Sequence, residues 1–196
     1  SHDRVMVLEV MGRSAGHIAL SAGISGGADA ILMPEIPWTM DGLTRKILDV
    51  RENGRNFALV IVAEAAHLPD EEAVGQMRGD GGFSFGGVGQ RVSDLIEKST
   101  GAESRVTVLG HVQRGGAPSP RDRLFASAFG VCAVNLVAEG RFDRLVVWSD
   151  RECRHVPLAD GIAKSHRVDP HGTLVHTAIG LGIYIGDPAA SNVTSE

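Results

Sequence analysis

The run Val106-Thr-Val-Leu-Gly-His-Val-Gln-Arg-Gly-Gly116 brings together the residue types best able to hold an anion in this sequence. Val106 and Val108 alternate as in a buried β-strand. The strand gives way to His111, Gln113 and Arg114, so an imidazole, an amide and a guanidinium arrive at its C-terminal end. Gly115 and Gly116 then let the backbone come close to whatever those groups hold. In parallel α/β sheets, ligands bind just beyond the C-terminal ends of the strands. A planar fork of donors beside neutral hydrogen-bonding groups suits a phosphorylated polyol.

Other residues sit at comparable places. Met11-Gly12-Arg13 follows an apolar run, Val5–Val10, and precedes a helical pattern over Ala15–Gly23. Such a strand–turn–helix exposes N–H groups that favour an anion, although a plain tight turn with a solvated arginine fits as well. Glu64 closes the apolar run Phe57–Ala63, where its carboxylate can accept from sugar hydroxyls, cap a helix or pair with an arginine. Arg105 starts the Val106 strand and His111 ends it, six steps of about 3.3 Å and thus roughly 20 Å apart. Arg105 and Arg114 therefore do not share one small ligand within a subunit. The same holds for Arg4 and Arg13, which flank the first strand. Arg4 and Arg105 are either solvated charges or reach a neighbouring subunit's site.

The elements that must position these groups alternate regularly. Strands are predicted at Val5–Val10, Ala30–Met33, Phe57–Ala63, the Val106 run and Leu145–Trp148. Helices are predicted at Ala15–Gly23, Asp41–Arg51, Gly89–Lys98 and Arg121–Glu139. This rhythm predicts an α/β fold, a three-layer Rossmann-like sandwich with a mostly parallel sheet and helices on both faces. The glycine-rich loop from Pro69 to Gly87 is expected to be functional or mobile.

Composition narrows the function. With 196 residues the chain can bury one substantial core. A formal net charge of -5 leaves no basic excess for nucleic acid. No apolar run reaches the roughly 18 residues that span a membrane, and no secretory leader is visible, so the expected compartment is the cytoplasm. Cys132 and Cys153 show neither a disulfide framework nor metal-ligand spacing, and Cys132 reads as a reduced, packed thiol. Arg78-Gly-Asp-Gly-Gly-Phe-Ser84 imitates a phosphate loop, but its glycine spacing fits no nucleotide fingerprint. His155, His166, His171 and His176 fit no zinc spacing.

Three motifs now coincide: Glu9-Val-Met-Gly-Arg13, the strand ending in Glu64, and Arg105–Gly116 running on to Asp122-Arg123. In order and spacing they resemble the C-terminal half of a phosphofructokinase of the ATP- or pyrophosphate-dependent superfamily, from Arg4 to about Ala138, and more loosely beyond Val146. The resemblance implies that Met11, Gly12 and Arg13 lie along fructose 6-phosphate, with Glu64 on its hydroxyls and His111 and Arg114 at the 6-phosphate. Arg4 and Arg105 would cross an interface into the neighbouring subunit's site, which implies a homo-oligomer, tetramer or dimer.

In that family a phosphoryl group passes from ATP or pyrophosphate to the sugar's C1 hydroxyl, giving the fructose 1,6-bisphosphate of glycolysis. Mg²⁺ would be bound mainly through the nucleotide-binding half and the donor phosphates. That half, with its glycine-rich loop and catalytic base, is expected ahead of Arg4, so no catalytic residue is assigned here and the chain alone is expected to be inactive. The implied division is a sugar-phosphate lobe over 1–118, a crossover helix and C-terminal elements over 119–188 packing toward the nucleotide lobe, and a frayed tail over 189–196. Pyrophosphate as donor, or a non-catalytic sugar-phosphate-binding or regulatory half, are the alternatives. Where bacterial relatives carry basic effector-binding residues, this chain reads Asn53-Gly-Arg55-Asn56, with one charge.

Overall fold

The computed structural model describes residues 4–69, 75–77, 83–163 and 166–191. The described chain forms two compact units, one drawn from residues 1–113 and 167–196, the other from 114–166.

The first unit is built on a four-stranded sheet in which every neighbouring pair is parallel. Its strands are β1 (Arg4–Val10), β2 (Ala30–Leu32), β3 (Phe57–Ala63) and β6 (Glu103–Val108), in the order β2-β3-β1-β6. Side chains alternate along each strand, so the two faces draw on different residues. On one face Val5, Val7, Val60 and Val62 pack with Leu43, Ile47 and Val50 of α2 (Met40–Glu52) and Val88, Val92 and Ile96 of α3 (Val88–Thr100). On the other, Val10, Ile31, Ile61 and Ala63 pack with Ala19 and Leu20 of α1 (His17–Gly26) and Val175 and Ala178 of α6 (Thr173–Gly180). These are the three layers expected from the sequence.

Several expectations change. The Val106 strand starts earlier, at Glu103, and forms a sheet edge, so Val108 is 57% exposed rather than buried. His111 does not end the strand; it lies on a 3₁₀ turn over Gly110–Arg114. Only three strand steps, about 10 Å, separate Arg105 from Val108, and the tighter turn that follows shortens the roughly 20 Å expected between Arg105 and His111. The first helix starts at His17, because residues 12–16 are spent in a turn.

The boundary expected at 118 and the grouping of 119–188 also differ from the structure. Residues after 166 return to the first unit. Ile183 and Ile185 are buried in its second core, and Tyr184 bridges to Ala30 in parallel fashion, beside β2. The Tyr184 N–H donates to the Asp29 carbonyl at 2.9 Å, and the Ile31 N–H to the Tyr184 carbonyl at 2.8 Å. Of the expected tail, 192–196 lie outside the described residues, and Pro188–Ala190 form a 3₁₀ turn.

The long loop before α3 contains two short antiparallel strands, β4 (Gly75–Met77) and β5 (Phe83–Phe85). Residues 70–74 and 78–82, with the phosphate-loop imitation at Gly79–Gly82, lie outside the described residues.

The second unit contains α4 (Pro120–Ala138), an antiparallel hairpin of β7 (Arg144–Ser149) and β8 (Glu152–Pro157), and α5 (Leu158–Ala163). The strand expected at Leu145–Trp148 is thus one arm of a hairpin rather than another parallel strand. A capping box starts α4: the Ser119 hydroxyl accepts the Asp122 N–H at 3.2 Å, and Asp122 Oδ2 accepts the Ser119 N–H at 2.9 Å. The Ser119 hydroxyl and N–H hold the Asp122 carboxyl below its usual range. A depressed carboxyl pKa contributes stability above the ordinary carboxylate range and loses it as pH falls through the lowered value. Ser119→Ala is expected to cost about 1 kcal/mol at neutral pH. In urea unfolding at a series of pH values, its difference from wild type should shrink below the carboxylate range; a constant difference would contradict the capping role.

Candidate functional site

Parallel pairing carries β1, β3 and β6 to a common edge. Val10 lies opposite Ala63 and Glu9 opposite Val108, so the residues that follow, Met11, Glu64 and the Gly110–Arg114 turn, leave the sheet side by side. Backbone bonds continue the pairing beyond the strands: the Glu64 N–H donates to Val10 O at 2.9 Å and the Leu109 N–H to Glu9 O at 3.1 Å.

Side-chain oxygens peg the segment between β1 and α1 along its length. Gln113 Oε1 accepts the Met11 N–H at 2.7 Å. Glu64 Oε1 accepts the Gly12 N–H at 3.1 Å and the Arg13 N–H at 2.7 Å. Glu35, 2% exposed, accepts the Gly16 N–H at 3.0 and 3.1 Å on its two oxygens. Between these pegs the chain turns tightly. A Cβ on Gly12 would collide with the Ala15 carbonyl oxygen, and Arg13 is left-handed at φ 51°, a conformation uncommon outside glycine. The Glu64 carboxylate satisfies the amide of that residue and helps hold it there.

The arrangement leaves cationic and aromatic donors outward. The Arg13 and His111 side chains are exposed, with no hydrogen bond or ion pair given to another described residue. Arg114 closes the 3₁₀ turn with its side chain exposed, and it opens the second unit. Among the described residues Glu64 therefore pairs with no arginine and caps no regular helix; it organises the Met11–Arg13 backbone.

Arg4 and Arg105 lie toward the N-terminal ends of their strands, away from this edge. Both bind one carboxylate: Arg4 Nε is 3.0 Å from Glu103 Oε2, and an Arg105 terminal nitrogen is 2.7 Å from Oε1. The hydrogen bond from Arg105, then that from Arg4, holds the Glu103 carboxyl below its ordinary range. All three are substantially exposed, and the two arginines outnumber the one acid. Arg55, the charge left in the Asn53–Asn56 stretch, is engaged by a bidentate pair with the buried Asp29, at 2.5 and 3.1 Å.

Sequence reasoning missed several acceptors. Gln113 was legible as an amide at a strand end but not as the partner of Met11. Glu9, 3% exposed, accepts the Gly87 and Gly89 N–H groups at 3.2 and 2.8 Å at the start of α3. An acid inside the apolar strand Val7-Leu-Glu-Val10 was its available signal. Glu35, between Pro34 and Pro37, gave none. Among the described residues, no group of three or more His, Cys, Asp or Glu stands ready to hold a metal ion. With Glu64 Oε1 committed to two amides, these residues do not fit a Mg²⁺ site.

Comparison with known proteins agrees with this geometry. The family model described as Phosphofructokinase matches residues 1–137. The ATP-dependent 6-phosphofructokinase 1 of Synechocystis sp. is 53% identical over 187 residues, covering 95% of this chain and 52% of that protein. The ATP-dependent 6-phosphofructokinase of Chloroflexus aurantiacus is 44% identical, over 95% of this chain and 51% of its own length. The chain thus spans about half the length of the curated relatives it matches. Among solved structures, phosphofructokinase from Saccharomyces cerevisiae aligns with a TM-score of 0.68 at 32% identity, over 93% of this chain and 23% of that one. The pyrophosphate-dependent enzyme of Marinobacter aquaeolei shares the fold at a TM-score of 0.70 and 22% identity, over 96% of this chain and 46% of that one. The parallel sheet, the pegged Met11–Arg13 turn and the match over 1–137 meet in one assignment: the chain belongs to the phosphofructokinase family.

Proposed function

We propose that this chain is the sugar-phosphate half of an ATP-dependent 6-phosphofructokinase, which transfers the γ-phosphoryl group of ATP to the C1 hydroxyl of fructose 6-phosphate. The observation that carries the reading is the peg system at the strand edge. Gln113 and Glu64 fix Met11, Gly12 and Arg13 in a rigid turn beside the exposed His111. A backbone fixed in this way presents the Arg13 side chain beside His111 to an anionic, hydroxylated ligand at a reduced ordering cost. Arg13 and the turn face the sugar, Glu64 its hydroxyls through its remaining acceptor capacity, and His111 and Arg114 the 6-phosphate.

ATP is favoured over pyrophosphate as donor by the relatives at 44–53% identity named ATP-dependent. Mg²⁺ enters with the donor phosphates, outside the described residues. The exposed row Leu124, Val131, Val134 and Val137 of α4 supports packing of that helix against the nucleotide-binding part. Arg4 and Arg105 serve the neighbouring subunit's site in a homo-oligomer, a dimer or tetramer, in the cytoplasm; their shared Glu103 holds them ready on the opposite edge. Among the described residues, no helix is long and apolar enough to cross a membrane.

Calorimetry with fructose 6-phosphate and with fructose tests the reading. The phosphate ester should bind at least about 100-fold more tightly, the worth of one or two charge-assisted phosphate contacts. Equal affinities, or binding of neither, would reject it.

A further inference from the structure

The second unit holds a pair of side chains that the proposed activity leaves unused. On α4, Phe125, Ala128, Phe129, Cys132 and Leu136 recur at helical spacing and are the residues withdrawn from solvent. This stripe meets the hairpin. The Phe125 ring centroid lies 4.9 Å from that of Trp148, and Trp148 pairs across the hairpin with Cys153.

Cys153 Sγ donates to the Ala128 carbonyl at 3.6 Å. In an α-helix that carbonyl also accepts the Cys132 N–H, four residues on. A helical side chain leans over the turn N-terminal to its own Cα, which directs the Cys132 thiol toward the same carbonyl. Both thiols are free and half-buried, and they are the only cysteines of the sequence.

We propose that Cys132 and Cys153 form a modification site, an oxidisable dithiol that closes into a reversible intramolecular disulfide joining α4 to β8. Two thiols gathered at one helix carbonyl have only to close to about 2.05 Å, a movement within reach of side-chain rotation and a small helix shift. With hydrogen peroxide as oxidant, the Cys132 thiolate attacks one oxygen, the O–O bond breaks, hydroxide leaves and a sulfenic acid forms. Cys153 then attacks that sulfur, the S–O bond breaks, and water departs with the Cys153 proton. Two thiols lose two electrons in all, and one peroxide becomes two waters. Burial, then the neighbouring Cys132 side chain, pushes the Cys153 thiol up, which suits it to the second, resolving role. A small-molecule disulfide reaches the same product by exchange, leaving as two thiols.

The test uses the wild-type chain, folded and, in parallel, unfolded in urea. Each sample is exposed to oxidised glutathione or to dilute peroxide, alkylated, and analysed by intact mass and peptide mapping. In the folded sample both thiols should be lost together, the mass should fall by two hydrogens, and a Cys132–Cys153 peptide pair should appear that dithiothreitol reverses. Closure should be faster folded than in urea, and Cys153→Ser should instead trap glutathione on Cys132. Adducts on separate cysteines, thiols that stay alkylatable, cross-linked dimers, or a bond formed only in urea would each overturn the proposal.

Discussion

Glu35→Ala is expected to lower the free energy of unfolding by about 3–5 kcal/mol, on the scale of two buried donors left unsatisfied plus a cavity. The carboxylate is 2% exposed and joins parts of the first unit that are far apart in sequence. Its oxygens accept the Gly16 N–H at the head of α1, and Oε1 also accepts the Val168 N–H at 2.9 Å. Neither amide has water to turn to, so truncation strands both. The helix N-terminus also loses a nearby anion, which favours its exposed N–H groups. There is no room to compensate by filling: a Cβ on Gly16 would lie 2.5 Å from Met33 Cβ. Glu35→Gln, which keeps one acceptor oxygen, should lose about half as much. Hydrogen exchange should show Gly16 and Val168 losing protection before the rest of the sheet, because the segment after 166 is tied to the first unit partly through this carboxylate. A loss below about 0.5 kcal/mol, the scale of an ordinary surface substitution, would mean that the carboxylate holds nothing.

Glu64→Leu carries the largest expected effect on ligand binding. One oxygen holds two consecutive amides, and the second belongs to Arg13 in its left-handed conformation. Without the acceptor, that residue is free to relax toward the ordinary backbone regions, and the preorganised turn is lost. The affinity for fructose 6-phosphate should fall by about 2–4 kcal/mol, on the order of 30- to 1000-fold. Gln113→Met removes the single neutral hydrogen bond to the Met11 N–H and should cost about 1 kcal/mol, while Gln113→Glu, which keeps an acceptor, should restore most of it. The two substitutions meet in one turn, so their double mutant should cost less than the sum. Strict additivity, or wild-type affinity in Glu64→Leu, would show that the pegs do not serve the ligand.

Much of the sheet was legible because its strands are continuous apolar runs. Phe57–Ala63 was read with its exact ends, since Asn56 and Glu64 bound it in sequence. The helices α2, α3 and α4 were found to within a few residues from their apolar spacing. What escaped was non-local. Ile183-Tyr-Ile185 is too short, among Gly180, Gly182 and Gly186, to show a period, and its place beside β2 comes from a bridge to Ala30. β8 is Glu-Cys-Arg-His-Val-Pro, a polar arm whose pairing with β7 replaces a core-facing pattern.

The site divides in the same way. Glu64 and the Gly110–Arg114 cluster stood out because polar groups end apolar strands there. That Glu64 is spent on the backbone of Gly12 and Arg13 depends on the β1–β3 register, which no local window contains. Arg4 and Arg105 were read as belonging to the opposite edge, and they do; that one acid, Glu103, gathers both depends on the β1–β6 register.

The most direct test of the central claim is an amide NMR titration of the ¹⁵N-labelled chain with fructose 6-phosphate, which detects even weak binding. The expected result is saturable shifts concentrated at Met11, Gly12, Arg13, His111 and Gln113, absent when fructose replaces its phosphate ester. An unperturbed strand edge, or shifts confined to other faces of the sheet, would contradict the assignment of this edge to the sugar phosphate.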